Sequence, residues 1–141
     1  MDFSGKYNCL LKYGIGYELQ AGKELTFSME IIEEDNYFNG TALDIEGVGV
    51  NPDEAKVSGI INGIYIEFYK IYKRGHYSDE AGNIVFEDQE GIPILYKGDY
   101  NEETGFYEGT WEFIAFIKKW FFFKKQVDIG SGTFQLRKSV D

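Results

Sequence analysis

Tyr96-Lys97-Gly98-Asp99-Tyr100, then Asn101-Glu102-Glu103-Thr104-Gly105, then Phe106-Tyr107-Glu108-Gly109-Thr110-Trp111 read as two β-strands joined by a tight turn. Each strand carries the same cassette: a bulky residue, a spacer, a glycine, a spacer, a bulky residue. A four-residue turn from Glu102 to Gly105 sets Tyr100 against Tyr107, Gly98 against Gly109 and Tyr96 against Trp111. All six then share one face of the hairpin.

Working outward, two more hairpins give the same inside. A turn at Asp35-Asn36 sets Ile31 against Gly40 and Met29 against Ala42. Asn62-Gly63 lies between apolar runs and predicts a type I′ turn, because both residues tolerate positive φ. It sets Ile61 against Ile64, Gly59 against Ile66 and Val57 against Phe68. The cassette glycines Gly5, Gly40, Gly59, Gly98, Gly109 and Gly132 all fall on the inward face. An inward glycine leaves room for a sheet to bend and for a neighbouring ring. Period-two alternation adds strands over residues 3–13, 24–31, 38–45 and 132–137, and residues 83–87 suggest a short extra one. The fold expected is all-β: an eight-stranded antiparallel up-and-down meander β-barrel, forming one domain over residues 1–141. Eight strands suit a barrel that is filled by side chains or holds one small ligand.

Composition agrees and excludes several functions. The chain has 141 residues, 43% apolar, which is enough for a core. Aromatics reach 18%, with 12 Phe and 11 Tyr, and these favour strands. The formal net charge is −10, which argues against a nucleic-acid partner, since phosphate binding needs a positive field. No stretch has the roughly 20 apolar residues of a membrane-spanning helix. The start, Met1-Asp2-Phe3-Ser4-Gly5, lacks a signal-peptide pattern, so a cytoplasmic location is expected. A single cysteine excludes an internal disulfide framework.

The two ends of such a meander differ. Tight turns pin one end, and the other carries the connections 14–23, 46–54, 73–91 and 118–130. Binding is expected at the end with the long loops. The candidate ligand-binding residues there are Phe27, Asp44, Phe68, Lys70, Tyr96, Trp111, Phe113 and Phe134, with Leu11, Leu25 and Val57 beside them. Asp44 and Lys70 stand out, because a desolvated charge is costly unless paired. They flank a polar group of a bound molecule, or pair with each other across the mouth, or a bulge turns one of them outward. Cys9 shares the inward parity and reads as a small buried hydrophobe. His76 with Asp79 and Glu80 matches no strong metal spacing. No catalytic residue, metal or cofactor is expected.

Residues 117–125, Ile-Lys-Lys-Trp-Phe-Phe-Phe-Lys-Lys, form the oddest stretch. Four lysines flank Trp120, Phe121, Phe122 and Phe123, and consecutive rings cannot all face inward on a strand. The stretch reads as an interaction loop for a membrane surface, a partner or a second copy, as a lid folded over the mouth, or as a strand extension buried by a neighbouring loop.

Gly5-Lys6-Tyr7 on the first strand resembles the Gly-x-Trp start of lipocalins. Arg137 on the last strand stands where they keep a basic residue packed over that ring. Gly109-Thr110-Trp111 resembles the Gly-Thr-Trp of avidins, although on a later strand. The chain thus looks like a calycin, the group of lipocalins, avidins and fatty-acid-binding proteins, and this implies small-ligand binding inside the barrel. The expectation is non-catalytic binding of one small, largely hydrophobic or aromatic molecule at the open end. The alternatives are a protein-interaction module using the acidic wall and the Trp120 loop, and a barrel isomerase with Asp44 and Lys70 as acid and base.

Overall fold

The computed structural model describes residues 3–14, 22–47, 50–78, 84–86, 90–119 and 123–139. Its strands are β1 (Gly5–Tyr13), β2 (Glu24–Glu34), β3 (Tyr37–Gly47), β4 (Ala55–Asn62), β5 (Tyr65–Tyr72), β6 (His76–Ser78), β7 (Ile84–Phe86), β8 (Ile94–Asn101), β9 (Phe106–Lys119) and β10 (Phe123–Lys138). Eight of them close a barrel in the order β1-β10-β9-β8-β5-β4-β3-β2, every pairing antiparallel. β1 lies between β2 and β10, so the ribbon meets itself and no barrel edge is left to pair elsewhere. β6 and β7 form a separate small hairpin, and the short strand expected over 83–87 is β7. No helix occurs among the described residues.

Alternation dictates the inside. On β2, Leu25, Phe27, Met29 and Ile31 are buried, Thr26 and Ser28 between them are half-buried, and Glu24, Glu30 and Ile32 are exposed. The inward rings fill the lumen. Phe68 and Tyr96 stack with centroids 4.6 Å apart and planes 5° apart. Phe134 meets both edge-on, at 6.1 and 5.3 Å.

The hairpins at Asp35-Asn36 and Glu102–Gly105 pair as the sequence predicts. Asp35 and Asn36 have φ of 53° and 70°, the two positive values a type I′ turn needs. The third hairpin differs. Its central residues are Gly63 and Ile64, with Asn62 opposite Tyr65. Only Gly63 has positive φ, 61°, as a type II′ turn requires. The register therefore moves by two, placing Ile61 against Ile66, Gly59 against Phe68 and Val57 against Lys70. A shift of two preserves the faces. The physical gain is that the smallest residue now faces the largest ring: a Cβ on Gly59 would collide with the Phe68 Cβ and the Glu67 carbonyl.

The tight-turn end is plugged by the N-terminal segment. Phe3 is buried against Tyr7, Phe38 and Tyr107, at 4.6, 5.0 and 5.5 Å between ring centroids. The Tyr7 hydroxyl donates to the Phe3 carbonyl at 2.7 Å, and the Phe3 N–H donates to Glu33 Oε1 at 2.7 Å. Arg137, expected over Tyr7, lies instead on the outer wall, 5.8 Å from the Phe106 ring centroid. It sits opposite Asn8, one residue out of phase with the inward face.

The open end carries three of the four expected connections. The fourth, 118–130, is corrected: β9 and β10 continue past their barrel neighbours as a paired ribbon, from Ile114 opposite Asp128 to Lys119 opposite Phe123. A register shift between Asp128 and Gly130 marks where the ribbon leaves the barrel, and such bulges bend and twist a strand.

Gly109 tests the closure. A Cβ there would run into the Lys97 carbonyl and the Gly98 backbone on β8. Gly109→Val is expected to cost at least about 3 kcal/mol in chemical denaturation, or to prevent folding, while Thr110→Val beside it on the exposed face changes stability by less than about 1 kcal/mol.

Candidate functional site

Lys70 is the residue that sets the open end apart. β5 points it inward two residues before the strand ends, opposite Val57 on β4 and Ile94 on β8. Its side chain is fully buried. Its Nζ stands 3.6 Å from the Phe27 ring centroid, 4.8 Å from that of Tyr72 and 5.6 Å from that of Tyr96. Three rings thus offer their π-electrons to one ammonium, a contact worth about 2 kcal/mol when desolvated. The counterion is Asp44, whose Oδ1 lies 3.8 Å from Nζ.

Asp44 is itself held. The Tyr72 hydroxyl donates to both carboxylate oxygens at 2.8 Å, and the Asn51 backbone N–H donates to Oδ2 at 2.9 Å. Asn51 is wholly buried and ties two loops to the barrel. Its Nδ2 donates to the Arg74 carbonyl at 3.1 Å, and its Oδ1 accepts from the Asp53 N–H at 2.8 Å. Arg74 closes the arrangement with a two-pronged contact to Asp53, at 2.6 and 3.1 Å. Asn51 was missed from sequence, because its burial comes from the way its loop returns to β3.

Above Lys70 lies a cavity of about 30 Å³ lined by Leu11, Tyr13, Leu25, Lys70, Tyr72, Ile94, Trp111 and Phe113. That is room for roughly one or two waters. Trp111 is fixed by donating its indole N–H to the Lys12 carbonyl at 3.1 Å. Tyr13 and Phe113 meet Trp111 edge-on at 5.6 and 5.8 Å, forming an aromatic rim. Lys70 Nζ and the Tyr96 hydroxyl have no hydrogen-bond partner among the described residues, though both are buried.

The expected site residues therefore separate into three groups. Lys70, Trp111 and Phe113 line the mouth cavity. Asp44 stands behind Lys70 as counterion and loop anchor. Phe27, Phe68, Tyr96 and Phe134 lie deeper and fill the barrel with stacked rings, Phe27 and Tyr96 also facing the Lys70 ammonium. Tyr13, Tyr72 and Ile94 join the lining without having been singled out. Trp120, Phe121 and Phe122 lie outside the described residues, as do Asp79 and Glu80, and the side chains of Phe123 and His76 are likewise outside them. Among the described residues, no group of three or more His, Cys, Asp and Glu side chains comes together.

Burial sets the protonation of the cluster. It pushes Lys70 below the ordinary lysine value, with Asp44 pulling the other way. Burial pushes Tyr72 and Tyr96 well above the ordinary phenol value, and Asp44 adds to this at Tyr72. It also raises Tyr13, to about 12, and pushes the Cys9 thiol up. Cys9 is thus a neutral core group. No family model matches the chain, and no curated protein or solved structure matches it.

Two outcomes follow. Asp44→Ala leaves a buried ammonium without its counterion and is expected to cost about 3–5 kcal/mol in chemical denaturation. Lys70→Met should cost less, because Asp44 keeps both its donors, and the double variant should be more stable than Asp44→Ala alone. The second outcome concerns alkaline pH. The unfolded chain releases tyrosine protons from about pH 10 while folded Tyr72 and Tyr96 retain theirs, so stability should fall above that pH by up to about 1.4 kcal/mol per pH unit per group. Lys70 has the opposite sign: its burial is costliest at neutral pH, and the cost fades as pH rises to about 10.5. In a titration followed by phenolate absorbance, these two tyrosines should ionise only as the folded circular dichroism signal is lost.

Proposed function

We propose that the protein binds one small, largely hydrophobic or aromatic molecule at the open end of the barrel, without transforming it. The observation that carries this reading is the Lys70 ammonium: buried, lining the mouth cavity, and without a hydrogen-bond acceptor among the described residues. A buried donor left unpaired costs free energy that an incoming acceptor would recover. The cavity admits an oxygen-sized head, not a whole ligand, so the apolar body would lie on the rim of Tyr13, Trp111 and Phe113. The resemblance of Gly5-Lys6-Tyr7 to the calycin start agrees with a ligand held at a barrel mouth, though a shared architecture does not by itself assign function.

Asp44 supports a holding role over a chemical one. Its oxygens already accept from Tyr72 and Asn51, so it is poorly placed to move a proton in an acid–base pair with Lys70. An interaction module is the second reading, favoured by the filled lumen and by the ribbon beyond the mouth.

Nile red tests the first reading, being a neutral aromatic dye with one carbonyl acceptor. Its emission should shift to the blue on titration with the protein. Lys70→Met, checked to be folded, should weaken binding at least about tenfold, the loss of a hydrogen bond to a charged donor. Unchanged affinity in this variant would remove Lys70 from the site. A molecule retained through purification and seen by native mass spectrometry would identify the natural ligand directly.

A further inference from the structure

The mouth cavity ends on a primary amine. Lys70 is fully buried and lines the cavity, and its Nζ has no hydrogen-bond partner among the described residues. β5 holds the residue between Val57 on β4 and Ile94 on β8, so its backbone is fixed on both sides. A rigid sheet, apolar walls and a desolvated amine are the setting in which lysine attacks a carbonyl carbon. Burial holds Lys70 below the ordinary lysine value, against the pull of Asp44. More of the attacking neutral amine is therefore present than at an exposed lysine. Cys9, the other nucleophile of the core, does not line the cavity, and burial keeps it a thiol.

The surroundings suit the product of that attack as well as the free side chain. Overall, an ammonium and an aldehyde give a protonated imine and water. The nitrogen lone pair forms the new C–N bond, and the carbonyl π pair moves to oxygen. The oxygen then leaves as water with two of the ammonium protons. One positive charge stands at Nζ before and after, and no oxidant or reductant takes part. The rings of Phe27, Tyr72 and Tyr96, with centroids 3.6, 4.8 and 5.6 Å from Nζ, serve the iminium as they serve the ammonium. So does the Asp44 carboxylate at 3.8 Å.

The space selects the carbonyl class. A cavity of about 30 Å³ takes the carbon and oxygen of an aldehyde group, whereas the second substituent of a ketone needs more room. A flat conjugated body would lie against Tyr13, Trp111 and Phe113, whose rings already meet edge-on. Leu11, Leu25 and Ile94 line the same cavity and keep bulk water from the linkage. Hydrolysis returns the aldehyde unchanged, so the protein holds its ligand and makes no product.

We infer that Lys70 holds an aromatic or conjugated aldehyde through a reversible protonated imine, with Asp44 as its counterion. This rests on the binding reading above and names the reactive group of the ligand.

The probe is 4-(dimethylamino)cinnamaldehyde, a flat neutral aromatic aldehyde, mixed in equal amount with the full chain at neutral pH. Its absorption should move to longer wavelength as the imine forms and is protonated. Sodium cyanoborohydride then reduces the iminium to a stable secondary amine, and digestion with mass spectrometry locates it. The expected result is one adduct per chain, on Lys70. In wild-type protein unfolded with urea, the label should instead spread over the lysines. Lys70→Met, checked to be folded by circular dichroism, should lose both the spectral shift and the adduct. Absence of an adduct at Lys70 in the folded wild type overturns the inference. So does labelling of exposed lysines ahead of Lys70, or a Lys70→Met variant that keeps the shift. Nile red carries no aldehyde and reads the holding role separately. A blue shift with Nile red and no adduct at Lys70 overturns the covalent inference and leaves the binding reading standing.

Discussion

A missing side chain facing a large one, strand against strand, is the constraint from which this barrel follows. Gly59 lies across from Phe68, and Gly98 lies 3.1 Å, at its would-be Cβ, from the tip of the Phe134 ring. The indole of Trp111 covers Gly132, where a Cβ would come within 2.7 Å of Nε1. Without these gaps the inward rings could not overlap, and an eight-stranded sheet would stay open or flatten. With them, Phe68, Tyr96 and Phe134 interlock across the lumen. Closure and core packing are therefore one event: the same glycines that let the sheet coil make room for the rings that hold it coiled.

That filling limits what the barrel can contain. A lumen packed with rings leaves only the space above Lys70, so a bound molecule would have to sit at the rim rather than in the interior. The ion pair explains why the space stops there. Lys70 needs the faces of Phe27, Tyr72 and Tyr96 and the charge of Asp44 to stay buried, and gathering four side chains around one ammonium closes the lumen beneath it. Asp44 in turn needs the Asn51 loop, so the loops at the mouth are tied into the electrostatics of the core.

Much of this was legible in the chain. Alternation and turn residues gave the strand faces, because parity survives a register error of two, as the Gly63-Ile64 turn demonstrates. Turn chemistry alone could not choose between Asn62-Gly63 and Gly63-Ile64; the fit of Gly59 against Phe68 did. Lys70 and Asp44 were visible as charges of inward parity, and the side-chain volumes that fill the lumen were visible too. Their mutual packing was not, since it depends on rotamers across four strands. Asn51 left no periodic signal, being placed by a loop. The continuation of β9 to Lys119 and of β10 from Phe123 was harder to read: residues 117–125 break alternation, so a strand extension stood there as one reading among several.

The buried pair also bears on the charge that a molecule bound at the mouth, as proposed above, would carry. Lys70 already has a carboxylate at 3.8 Å, so the cluster is neutral as it stands. An anionic head would leave a net negative charge in a desolvated pocket, where an unbalanced charge costs several kcal/mol. A cationic head would meet the ammonium itself. A neutral acceptor, such as a carbonyl, ether or hydroxyl oxygen, satisfies the idle donor and leaves the balance intact. On the proposed binding role, the choice of ligand would depend less on the aromatic rim, which any flat apolar body could cover, than on Asp44, a residue that does not line the cavity.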